Sequence, residues 1–287
     1  MPPRLLCATD FSERSDRALR RAVLVAQAHQ ARLDLVHVVD DDRPKRLVDH
    51  EAADARALLH RMAQTLQQHD GLRSETEVIF ADPFEGLLRA AETRPLLLVL
   101  GPHRRQALRD AFIGTTAERV IRKAACPVLT VNAPPAGPYR HILLTTDLSE
   151  TSAAALQGFL DLGLFPQARH SLLTVFDLPF LRLAMADTLP PPDQSREIAA
   201  HSATSLADLA RFAAGLRGPL LQPLTRRREA GEAAEILKAA AEIGADLVVM
   251  VSQGRSALAR MMLGSVTQQV LQQAQVDVLT LPCPASA

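Results

Sequence analysis

One stretch of this sequence occurs twice. LLCATDFSERSDRAL (5–19) returns as ILLTTDLSETSAAAL (142–156), so that Thr9-Asp10 and Ser12-Glu13 fall on Thr146-Asp147 and Ser149-Glu150. Farther along, Gly114 aligns with Gly264, and CPVLTV from Cys126 aligns with VDVLTL from Val276. A self-similarity that spans half of a 287-residue chain predicts two domains of ordinary size rather than one large one. The linker NAPPAGPYR (132–140), dense in Pro and Gly, puts the boundary near Gly137 and predicts domains over 1–135 and 139–287. The second copy is the longer. Its extra residues are best placed in DLPFLRLAMADTLPPPDQS (177–195), where Pro190, Pro191 and Pro192 predict an extended loop rather than a helix.

Within each copy, short apolar runs alternate with longer segments of helical period. In the first copy these read as strands near 4–9, 33–39, 75–80, 96–100 and 126–131, with helices near 13–29, 47–69, 84–93 and 115–124. The second predicts strands near 141–146, 170–176, 220–226, 246–251 and 276–281. Unbroken apolar runs such as LLLVL and DLVVMV belong in a parallel sheet covered on both faces. Strand–helix alternation then gives a doubly wound α/β domain, whose ligands bind beyond the carboxyl ends of the strands where strand order reverses. That rule gathers the end of the first strand (Asp10 or Asp147), the end of the second (Val38 or Val175) and the loop after the fourth.

The loop after the fourth strand is GPHRRQALRDAFIGTT (101–116) in the first copy and VSQGRSALARMMLGSV (251–266) in the second. Each keeps part of the pattern G-x-x-G-x9-G-[ST]. The first has Gly101, Gly114 and Thr115 but Arg104 at the second glycine; the second has Gly254, Gly264 and Ser265 but Val251 at the first. A glycine-rich loop leading into a helix offers backbone N–H groups to phosphate. Arg104 obstructs that approach or binds a phosphate from the side, and Val251 crowds the sugar end. The phosphate end is therefore better kept in the second copy. The competing structural reading is that Gly114 and Gly264 make turns, that Thr115 and Ser265 cap the following helix, and that Asp10 and Asp147 cap theirs.

ATDFSE, TTDLSE, LVHVVD, ACPVLTV and the two glycine loops together resemble the universal stress protein family, in order and twice over nearly the whole chain. The resemblance implies a five-stranded parallel sheet of order 3-2-1-4-5 in each half, of the adenine nucleotide alpha hydrolase-like kind, with the halves paired through their fifth strands as a pseudo-dimer. Left unpaired, those strands would be apolar edges. It also implies ATP or another adenine nucleotide, with Mg²⁺ as its companion, at Asp147, Val175, Gly254, Gly264 and Ser265, and less strongly at Asp10, Val38, Gly101, Gly114 and Thr115. Stress response or sensing is the implied function, with a further homodimer left open. The alternative is a nucleotide-free interaction scaffold with degenerate loops, whose protein partner takes the loops or the Pro-rich insertion.

Other chemistry is thinner. The net charge is zero, Trp is absent and Tyr occurs once, which argues against nucleic acid. Cys7, Cys126 and Cys283 show no metal-type spacing and predict a reduced, cytoplasmic setting, and no apolar run suggests membrane insertion. His37 reads as a strand residue, His103 as solvent-facing, and Arg226 to Arg228 as a solvated strand end. Asp82 after the third strand would suit a phosphorelay receiver, but the fifth strands lack the lysine such a site needs. No catalytic triad or dyad assembles, so any ATP hydrolysis is expected to be weak.

Overall fold

The computed structural model describes residues 3–102, 116–178, 191–252 and 263–283. By internal contacts the chain divides into two units, Met1–Pro138 with Gln275–Pro282, and Tyr139–Ala274 with Cys283–Ala287.

In the first unit β1 (Arg4–Ala8) lies between β2 (Arg32–Val39) and β4 (Leu97–Leu100), all parallel, with Cys7 level with Leu35 on one side and Val99 on the other. β3 (Thr76–Phe80) adds outside β2 and β5 (Val128–Thr130) outside β4, giving the order 3-2-1-4-5. All four residues of β4 are buried, as a strand covered on both faces requires. The chain's last strand, β10 (Asp277–Leu281), joins this unit and runs antiparallel to β5, with Leu279 opposite Leu129. The short edge strand β5 is thereby covered.

Two helices of this unit start at a side-chain cap. Ser12 opens α1 (Glu13–Ala28) by accepting from the Ser15 N–H, and Glu13 and Asp16 sit in the positive first turn. α2 (Lys45–Thr65) runs on through a π turn at Leu66–Asp70, which Gly71 closes at φ 69°. Asp82, which sequence placed at the end of the third strand, is the cap of α3 (Pro83–Ala91), accepting from the N–H groups of Phe84 and Glu85. α4 (Thr116–Lys123) precedes β5.

The second unit repeats the first four strands. β6 (His141–Thr145) lies between β7 (Arg169–Phe176) and β9 (Leu247–Val251), and β8 (Leu221–Arg227) adds outside β7. Pro223, which cannot donate to a ladder, is tolerated because β8 pairs only with β7 among the described registers. The helices are α5 (Glu150–Asp161), α6 (Pro191–Ala214), α7 (Glu232–Ile243) and α8 (Ser265–Gln273).

Two expectations are corrected here. Pro191 and Pro192 do not extend a loop: they are the first two residues of α6, where the missing N–H would have had no helical partner and the fixed φ suits the turn. Residues 179–190, including Pro190, lie outside the described residues. Nor are Arg226, Arg227 and Arg228 simply solvated. They are partly buried at the end of β8 and paired with Glu242, with Glu229, and with Asp177 and Glu232 respectively.

Candidate nucleotide clefts

Each unit carries a cleft of about 530 Å³ at the carboxyl ends of its strands. The first is built around the turn that follows β1. Thr9 donates its N–H to Val36 O at 3.0 Å and accepts the Phe11 N–H at 3.0 Å on its hydroxyl, which also meets Ser15 Oγ at 3.1 Å. That closure forces Phe11 into the left-handed region at φ 58°. The same turn recurs in the second unit, where Leu148 donates its N–H to Thr146 Oγ1 at 3.0 Å and stands at φ 63°. A left-handed bulky residue costs roughly 1 kcal/mol, so two such residues at matched positions mark a turn held against a local preference.

The strained turn aims the aspartates. Asp10 Oδ1 accepts from the Ser12 N–H at 3.0 Å and from its hydroxyl, and Asp147 Oδ1 accepts from the Ser149 N–H at 3.0 Å and hydroxyl at 2.6 Å. Neither aspartate is itself the helix cap. Ser12 and Ser149 cap α1 and α5, and each aspartate orients its capping serine. Partial burial opposes ionisation of Asp10, but the Ser12 hydrogen bonds, with Ser15 and Arg14, outweigh it and hold the carboxyl below its usual range.

Asp10, Val38 and Gly101 all line the first cleft. Gly101 has a structural reason to be glycine, since a Cβ there would stand 3.0 Å from the backbone carbon and oxygen of Arg14 in α1. Gly86, absent from the sequence reading, plays a similar part: a Cβ on it would lie 2.5 Å from Val38 Cγ1, so it lets α3 close on β2. Gly114 and Thr115, with His103 and Arg104, lie outside the described residues.

Asp147 and Val175 line the second cleft, as does Val251. Gly264 and Ser265 do not, although Val266 and Thr267 of the same helix do. Gly264 is the N-cap of α8, with no side-chain cap, and Ser265 is the first helical residue, which corrects the assignment of Ser265 as a cap. At φ −58° and ψ 137° Gly264 holds a backbone that any residue adopts, and its N–H donates to Ser252 O at 3.1 Å. Gly254 lies outside the described residues. Helix α6 brings Ser205 and Asp208 to this cleft, a contribution that no sequence pattern announced.

The two clefts differ in charge. Among the described residues the first is lined by Asp10 and by Arg14, whose guanidinium stands 4.0 Å from Asp10. The second is lined by Asp147, Asp177, Asp208 and Glu232. Arg228 lies 3.2 Å from Asp177 and 3.7 Å from Glu232, and Arg211 lies 3.0 Å from Asp208, so this acidity is partly offset. Burial, with Asp16 adding, pushes the Cys7 thiol of β1 up to about 12, which disarms it as a nucleophile. Among the described residues no group of His, Cys, Asp and Glu is placed to hold a metal, and no helix is long and apolar enough to cross a membrane.

Comparison with known proteins agrees with this architecture. The model of the universal stress protein family matches twice, over residues 1–132 and 138–282. A universal stress protein of Mycolicibacterium smegmatis is 26% identical over 298 residues, covering 96% of each chain. One from Thermus aquaticus is 31% identical over 134 residues, covering 44% of this chain and 96% of its own. The crystal structure of a universal stress protein from Archaeoglobus fulgidus superposes with a TM-score of 0.71 at 17% identity, over 99% of this chain and all of that one, a likeness of fold. With both halves matched and the first four strands of each arranged in the same order about the same turn, this chain belongs to the universal stress protein family and carries its domain twice in tandem.

Proposed function

We propose that the protein binds ATP or another adenine nucleotide in at least one of its two clefts and serves as a cytoplasmic stress-response or sensing protein. The observation that carries this reading is the convergence of Asp10, Val38 and Gly101 on one cleft, and of Asp147 and Val175 on an equivalent cleft of the same volume. Both clefts lie where a doubly wound sheet receives ligands. Mg²⁺ would accompany the phosphates. The chain's own residues supply orientation: the strand ends and the aspartates face the nucleoside, and the helix start after each glycine loop faces the phosphates.

The glycine pattern favours the second half, because its sequence keeps the second and third glycines of the pattern, Gly254 and Gly264, with Ser265. Charge favours the first, because Arg14 lines it while four carboxylates line the second. The test is to denature the purified full chain and identify released small molecules by mass, then to follow melting in millimolar ATP and Mg²⁺. Adenine nucleotide at up to one or two per chain supports the reading. A clean extract together with no thermal shift overturns it and leaves the interaction scaffold. Replacing Gly264 or Gly114 by Leu ranks the halves by which change removes more of the binding.

A further inference from the structure

We propose that the imidazole of His37 reads the base in the first cleft, its Nε2 accepting a hydrogen bond from the exocyclic amino group of adenine. This rests on the adenine-nucleotide reading above and adds to it a residue that selects the base. His37 stands on β2 between Val36 and Val38, and all three line the cleft. Its Nδ1 lies 2.8 Å from the carbonyl oxygen of Thr9. A carbonyl oxygen can only accept, so Nδ1 carries the proton, and in the neutral ring Nε2 is left with a lone pair. The ring is held on one face by Phe11, whose centroid is 4.5 Å away at an interplanar angle of 34°. Phe11 reaches that position through its left-handed backbone and its N–H bond to Thr9.

The strained turn after β1 therefore does two things at once: it fixes the tautomer of His37 and it clamps the ring. Nε2 has no hydrogen-bond partner among the described residues. An acceptor held rigidly in a cleft discriminates by what the ligand presents to it. A 6-amino purine offers a donor, whereas a 6-oxo purine sets an oxygen against the lone pair. At the matched positions the second unit has Thr174 and Leu148, so it offers neither the imidazole nor the aromatic clamp. Base selection of this kind belongs to the first cleft alone.

Calorimetric titration of the full chain with ATP and with ITP, in wild type and in His37→Phe, tests the assignment. One hydrogen bond gained against one acceptor clash predicts that wild type prefers ATP by about tenfold and that the variant loses the preference. Because His37→Phe also strips Thr9 O of its donor and could unfold the strand, the second measurement needs no mutation. ¹⁵N NMR of the wild-type histidines should show the His37 Nε2 resonance moving on addition of ATP and staying in place with ITP. ATP binding with an unmoved His37 resonance, or with a preference that survives in a folded His37→Phe variant, overturns this inference and leaves the nucleotide reading standing. The absence of any nucleotide binding overturns both.

Discussion

Arg21 and Asp277 are 256 residues apart in sequence and form a buried ion pair, with Nε 3.1 Å from Oδ2 and side chains 5% and 0% exposed. Arg21 also donates from Nη1 to the carbonyl oxygen of Gly137 at 2.6 Å. Asp277 Oδ1 accepts the N–H groups of Asn132 and Ala133 at 2.9 and 3.0 Å. The first residue of β10 thus ties together helix α1 and the end of the linker-side strand β5. Removing one partner of such a pair leaves a buried charge uncompensated, which costs about 3–5 kcal/mol. Arg21→Met is expected to lower the unfolding free energy by that amount in urea titration. Arg21→Lys should restore only part, because a single ammonium cannot reach both Asp277 and Gly137 O with the fork geometry of arginine.

That pair could not have been read from the sequence, although almost everything that positions it could. The ten described strands fall within a residue or two of the runs read from the sequence, most plainly β4 and β9, because a strand buried on both faces must be apolar throughout. Asp10, Val38, Asp147 and Val175 reached their clefts because the switch-point rule depends on strand order, which the repeat made legible. What stayed hidden depends on approach distances between elements far apart in sequence. Gly101 looked like the first glycine of a phosphate motif, yet the backbone of Arg14, 3.0 Å from where a Cβ would stand, gives it a packing reason as well. Asp82, rejected as a phosphorelay site because the fifth strands lack a lysine, is a helix cap, a role the sequence reading did not give it. Pro191 and Pro192 were misjudged because proline breaks a helix that it interrupts and favours one that it begins.

Left-handed backbone at Leu148 makes a prediction about side-chain shape. Asn tolerates φ near 60° far better than a β-branched residue does. Leu148→Asn, at a partly exposed position, is expected to stay within about 1 kcal/mol of wild type, the relief of strain offsetting the lost apolar contact. Leu148→Val should cost about 1–2 kcal/mol more than Leu148→Asn although it is the more conservative change by hydropathy. Urea midpoints of the two variants decide the order.

His170, at the start of β7, predicts a pH dependence. Burial lowers its pKa below the ordinary histidine value, the Ala168 backbone opposes this in part, and the neighbouring His141 adds a smaller lowering of its own. A folded pKa below the unfolded one means that the unfolded chain takes up a proton the folded chain refuses. His170 therefore contributes its full stability above the unfolded value near 6.5, and this contribution is lost as pH falls through the folded value. The denaturation midpoint should decline from roughly pH 7 to pH 5. His170→Gln should flatten that decline, and an unchanged slope would assign it to other groups.

The last prediction concerns the two threonines where β5 meets β10. In this antiparallel pair Thr130 stands opposite Val278 and Thr280 opposite Val128, so each hydroxyl faces a valine across the ladder. Both residues are buried, at 3% and 1% exposure, and neither Oγ1 has a hydrogen-bond partner among the described residues. A buried hydroxyl without a partner forfeits its hydration for nothing, which costs about 1–3 kcal/mol. Valine keeps the branched shape that a strand favours and removes the polar atom. Thr130→Val and Thr280→Val are each expected to raise the unfolding free energy by about 1 kcal/mol, with little change in the dependence on urea concentration. The gains should be nearly additive, because the two residues occupy different rungs of the ladder and share no partner. A loss of stability in either variant would mean that its hydroxyl is satisfied in solution by a group or a water lying between the strands and the covering helices.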